Sequence, residues 1–147
     1  MSNQAVIQSL NGILADSIVL HQKLHHYHWR VQGQGFFLLH GKFEELYDHF
    51  AAVMDQIAER ILMIDGEPIG TLAGAVEHAA IAETEEVPAA RKMVADLAAD
   101  LETFGNRVSQ VVSAAEQAGD RGTANLLDPI LDELDKTRWM LKAFLAS

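Results

Sequence analysis

The chain has 147 residues, 49% of them hydrophobic, enough for one domain with a substantial core and too apolar for a disordered chain. It has no cysteine, which excludes disulfides, thiolate zinc sites and thiol catalysis. Its net charge of −10, with neither Lys nor Arg in the first 22 residues, argues against a grip on a nucleic-acid backbone and suits attraction of metal cations.

Apolar residues at helical spacing (Val6, Leu10, Ile13, Leu14, Leu20, Leu24) predict a first helix over 5–30, broken by Gly33 and Gly35. A second is predicted over 36–65, carrying Phe43, Leu46, Phe50, Val53, Ile57 and Ile61 and stopping at Asp65-Gly66, with Pro68 beyond. Residues 66–87 read as a long connection with a short helix around Val76–Ile81. The third helix is expected to start between Thr84 and Pro88 and run to Gly119. The fourth is expected over 124–145; Pro129 fits its first turn if Asp128 is the cap, and kinks it if the helix begins earlier. No strand alternation competes, so the class is all-α, a four-helix bundle with a crossover between the second and third helices. Nothing resembles a signal peptide or a transmembrane run, and a cytoplasmic location is expected.

The second helix carries two polar pairs, His40 with Glu44 and Asp55 with Glu59, each spaced i, i+4. All four side chains fall within an arc of roughly 100°. Just upstream stands His28-Trp29, and together these residues form an oxygen- and nitrogen-rich set suited to iron or a related first-row metal. The pair midpoints, positions 42 and 57, are 15 residues apart. That is about 22 Å of helix, whereas metal–ligand bonds are about 2 Å, so one copy of the helix cannot hold one ion with both pairs. Either other helices complete each pair, or a second copy packs antiparallel about a two-fold near His49 and Phe50. The second arrangement is favoured, because the remaining helices offer few spare ligands.

Taken singly, Glu44, Asp55 and Glu59 are ordinary surface acids, and spacing alone leaves both readings open. His21, His25 and His28 also share a face, but no H-E-x-x-H accompanies them, so metal-dependent hydrolysis has no support. His21 and His25 read as structural or secondary metal contacts, and His26, His49 and His78 follow no pattern. No glutamate precedes a histidine by three residues, so the Glu-x-x-His pairs of intrachain di-iron bundles are absent. Phosphate loops, serine elbows and RNA-binding aromatics are absent too.

The run His28-Trp29-Arg30-Val31-Gln32-Gly33, then Phe36 to His40, Phe43-Glu44-Glu45-Leu46-Tyr47 and Asp55-Gln56-Ile57-Ala58-Glu59-Arg60 resembles the signature of Dps-like miniferritins, the DNA-binding proteins from starved cells and their relatives. The segment Asp135 to Leu145 is similar to their last helix. The resemblance implies a ferritin-like bundle and a ferroxidase centre of two irons between two-fold-related subunits. His28, His40 and Glu44 would come from one subunit, Asp55 and Glu59 from its mate. Asp55, Glu59 and His28 would hold the tighter iron, Glu59 bridging, with His40 and Glu44 at the looser position; zinc could substitute. Two departures stand out: many relatives have Asp at the position of Glu44, and Arg30 replaces the usual Asn.

The implied activity is oxidation of Fe(II) by hydrogen peroxide or dioxygen, with Fe(III) stored in a hollow homododecamer, which protects against Fenton chemistry. Trp29 is implied as an electron donor when iron is short, or as an interface anchor. Asp120, Asp128 and Asp132 are candidates for acidic entry pores. Twelve copies would carry about −120, concentrating cations and opposing DNA. The competing readings are a nucleoid-compacting DNA binder with an incidental metal site, and a zinc-buffering oligomer without turnover.

Overall fold

A computed structural model describes residues 2–146 as five helices, with no strand among the described residues. They are α1 (Ser2–Arg30), α2 (Phe36–Met63), α3 (Leu72–His78), α4 (Ala90–Gln117) and α5 (Arg121–Leu145). The four long helices form a ferritin-like bundle: α1 packs on α2 and α4, α4 on α5, and the short α3 rests on α1 in the crossover. Its core includes Leu10, Ile13 and Leu24 of α1, Phe43 and Phe50 of α2, and Phe104 of α4, all fully buried. No described helix is long and apolar enough to cross a membrane.

The helix ends differ from expectation for local reasons. After α2, the Gly66 amide donates to Ile61 O at 2.8 Å and Asp65 to Leu62 O at 3.0 Å. This is a Schellman ending, with Asp65 at φ 69° in the left-handed position. Glycine comes one residue later because a Cβ at Gly66 would meet the methyls of Ile7 and Ile61 within 3.0 Å. The short helix starts at Leu72 rather than Val76, since the Thr71 hydroxyl accepts the Gly74 amide at 3.0 Å and fixes its first turn. Residues 84–89 are not helical, and α4 begins at Ala90, two residues past Pro88.

Asp128 is not the cap of the last helix. Asp120 is, accepting the Thr123 amide at 3.1 Å, so α5 starts at Arg121 and Pro129 lies inside it. The proline removes one hydrogen bond to the Asn125 carbonyl, and both residues are exposed, so water can replace it.

Two ion pairs hold the crossover against α1 and α4. Asp16 is fully buried and accepts Arg107 Nη1 at 2.8 and 2.9 Å and the Ala80 amide at 2.7 Å. Lys23 donates to Asp100 at 2.7 Å and to Ala82 O at 3.1 Å. Arg107 reaches Asp16 across Gly12, where a Cβ would collide with the guanidinium. Gly105, also helical, has open space around it. Gly105→Ala is therefore expected to gain about 1 kcal/mol from helix propensity. Gly12→Ala should instead lose roughly 1–3 kcal/mol by dislodging Arg107. Chemical unfolding of the two variants side by side checks the contrast in sign.

Candidate metal centre

Gly33 and Gly35, at φ 92° and 88°, turn the chain sharply enough for α2 to fold back along α1. That return brings His40 beside His28. His28 Nδ1 lies 2.7 Å from His40 O, and His40 Nδ1 lies 2.8 Å from His28 O. A carbonyl oxygen only accepts, so each Nδ1 carries the proton and donates it. In the neutral rings the lone pair is left on Nε2, the atom a metal ligand needs. The exchange fixes tautomer and ring orientation without any other side chain.

The two rings are stacked at 3.7 Å with planes 14° apart. An imidazole lone pair lies in its ring plane, and two nearly parallel planes at that separation cannot both contain an ion about 2 Å from each nitrogen. The pair therefore fits two ions side by side rather than one chelated ion. Glu44 Oε1 stands 3.9 Å from His28 Nε2, its side chain half exposed. His28 and His40 thus lie at one end of the α1–α2 face, with Glu44 beside His28.

Asp55 and Glu59 do not join them. Both are exposed further along α2. Among the described residues, no three His, Cys, Asp or Glu side chains are grouped to hold a metal ion. The stripe carrying both pairs is nonetheless unusual for a bundle helix. It exposes Phe37 at its start and Leu62 at its end, and between them a groove of about 680 Å³ is lined by Leu14, Ile18, Ala51, Ala52, Asp55 and Leu72. Apolar residues and metal-ligand types share one uncovered face.

Tyr47, also on this face, was missed by the sequence reading although it lies seven residues after His40. Its ring meets His28 edge-on at 5.2 Å and stacks on His25 at 3.7 Å. His25 Nδ1 donates to His21 O at 2.8 Å. Burial, then the neighbouring His25, pushes the His21 imidazole below its usual value, with Asp48 opposing. Trp29 follows His28 in sequence but points away from it: it is 61% exposed, and its ring contacts His25 at 5.7 Å. His49 lies on the opposite side of α2 from His40, and burial lowers its imidazole against the pull of Glu133.

Asp120, considered for a pore, has both oxygens engaged within the chain: Oδ1 accepts Arg60 at 2.7 Å and Oδ2 the Thr123 hydroxyl at 2.6 Å. Burial alone would raise its carboxyl, but these bonds outweigh it and hold Asp120 below its ordinary value. Asp128 and Asp132 are exposed on α5.

Comparison with known proteins agrees with this architecture. The ferritin-like domain family matches residues 7–147. The DNA protection during starvation protein of Brevibacillus brevis is 42% identical over 142 residues, covering 97% of this chain and 95% of the relative. The crystal structure of a Dps protein from Bacillus brevis superposes with a TM-score of 0.96 at 42% identity, covering 98% of this chain and 97% of that one. A Dps protein from Vibrio cholerae O1, described as a member of a broad superfamily of ferritin-like diiron-carboxylate proteins, superposes at 0.95 with 32% identity, over 98% and 91% of the two chains. With the bundle, the short crossover helix and the matching length, these likenesses show that the chain belongs to the ferritin-like family, among the Dps proteins.

Proposed function

We propose that the protein is a ferroxidase and iron store, oxidising Fe(II) with hydrogen peroxide at a centre of two irons shared by two copies of the chain. The observation that carries this reading is the reciprocal His28–His40 exchange, which presents two Nε2 atoms for two ions while, among the described residues, Glu44 is the one carboxylate paired with them and no complete ligand set forms. An antiparallel second copy supplies what is missing. With the two-fold at the level between His49 and Phe50, His40 faces Glu59 of the second copy and Glu44 faces its Asp55. The same register sets exposed Phe37 against Leu62, and the contact is isologous.

Imidazole nitrogen with carboxylate oxygen suits iron, and zinc competes for the same donors. His28 with Asp55 and Glu59 of the mate would bind Fe(II) more tightly, Glu59 bridging toward the ion held by His40 and Glu44. Peroxide taking one electron from each of two Fe(II) ions, with two protons, leaves as two waters and releases no hydroxyl radical. The Fe(III) product is stored inside a closed shell of twelve copies, reached through pores to which Asp128 and Asp132 contribute. The shell's charge of about −120 draws in Fe(II) and disfavours DNA, so protection here acts through iron and peroxide in the cytoplasm.

The test is to load metal-free protein with Fe(II) under anaerobic conditions, add one peroxide per two irons and follow Fe(III) absorbance with a spin trap present. Complete oxidation at that ratio without trapped hydroxyl radical is expected. Oxidation at the rate of free Fe(II), with radical trapped, would overturn the reading.

A further inference from the structure

The ring geometry that denies a single shared ion to His28 and His40 allows one at another imidazole pair. His21 and His25, spaced i, i+4 on the unbroken helix α1, project from one face. Their ring centroids lie 4.6 Å apart with planes 72° apart. Two imidazoles bound to one ion through bonds of about 2 Å, meeting at about 90–110°, hold their centroids roughly 4.5–5.2 Å apart. His25 Nδ1 donates to His21 O at 2.8 Å, which in the neutral ring leaves the lone pair on Nε2. The His21 ring nitrogens make no hydrogen bond among the described residues. Tyr47 stacks on His25 at 3.7 Å and meets His21 edge-on at 6.2 Å, bracing both rings from α2. Asp48, next along α2, is a carboxylate whose charge reaches His21.

We infer that His21 and His25 together bind a divalent zinc ion at a site separate from the centre at His28 and His40, with Asp48 offsetting its charge. No third ligand-type side chain is grouped with the pair among the described residues, so water fills the remaining positions. That donor set selects the metal. Zinc is well served by imidazole, and Fe(II) stands near the weak end of the affinity order for first-row divalent ions, so a two-imidazole site prefers zinc at equal concentration. Held there, zinc is kept off the iron ligands, for which it otherwise competes. The binding itself does not depend on iron oxidation, and either reading can fail without the other.

The experiment is equilibrium dialysis of the assembled, metal-free protein against Zn(II), with bound metal counted per chain. His28→Ala/His40→Ala/Asp55→Ala/Glu59→Ala removes the iron ligands and is expected to retain about one zinc per chain. Adding His21→Gln and His25→Gln should weaken that binding at least about 100-fold, since direct ligands are lost. Removing the imidazole next in sequence, by His26→Gln, should leave it unchanged. In the otherwise wild-type chain, the His21→Gln/His25→Gln pair should lower bound zinc by about one per chain while circular dichroism shows the bundle intact, so the result does not hang on the fourfold variant folding. Equal zinc binding with and without His21 and His25 would overturn the inference and assign the ion to other surface donors. Loss of all zinc from a fourfold variant that still folds and assembles would overturn it too, and place the zinc at the centre alone.

Discussion

Arg107→Met is expected to cost roughly 3–5 kcal/mol of stability, because it leaves a buried carboxylate without its counter-charge. Asp16 has no exposed surface, and Arg107 is the cation beside it, donating to both carboxylate oxygens. Burial pushes the Asp16 carboxyl above its ordinary value of 3.8, while the Ala80 and Ile81 amides and Arg107 pull it down without cancelling the rise. Losing Arg107 moves it up further.

The sign of the pH dependence follows. A folded-state value above the unfolded one means that the native chain holds a proton the unfolded chain has released. The stability this contributes is fully present below 3.8 and is lost as pH rises through the folded value. The deficit of Arg107→Met should therefore grow from mild acid toward neutrality, by at most about 1.4 kcal/mol per pH unit. Urea unfolding across that range, at fixed protein concentration because assembly also contributes to stability, checks it. A deficit below about 1 kcal/mol and flat with pH would contradict this account of the crossover clamp.

The second large effect is functional. Asp55→Ala with Glu59→Ala is expected to slow peroxide-driven iron oxidation by at least about 100-fold, more than the loss of residues that only orient ligands. Both side chains are exposed and make no hydrogen bond or ion pair among the described residues, so the bundle itself should change by no more than about 0.5 kcal/mol. Oxidation rate and circular dichroism, measured together, separate the two effects. Wild-type oxidation in this variant would remove the carboxylates from the centre and leave the family membership untouched.

Much of this was legible in the sequence, and the exceptions have physical causes. Long apolar stripes with glycine breaks gave all four bundle helices. The spacing of His40, Glu44, Asp55 and Glu59 excluded one ion held by both pairs of one helix, and favoured a second copy over completion of each pair by other helices. The start of α5 was misread because Asp120 acts twice: its amide closes the α4 ending on Ala115 O at 2.8 Å, and its carboxylate caps the next helix. A residue serving two helices in one turn leaves no run of loop residues to mark the boundary. The Asp16–Arg107 pair, 91 residues apart, leaves no local trace. The carbonyl exchange between His28 and His40 and the stacking of Tyr47 on His25 depend on how residues 31–35 turn, which composition does not encode.

The central claim is that each centre takes its imidazoles from one copy and its Asp55 and Glu59 from another. Complementation tests it most directly, using His28→Ala/His40→Ala chains and Asp55→Ala/Glu59→Ala chains, each expected to be inactive alone. Assembled together in equal amounts with random pairing, about half the dimers would be mixed, each with one intact centre of two, so about a quarter of the wild-type oxidation rate should return. A mixture no more active than its two parents would contradict a shared centre.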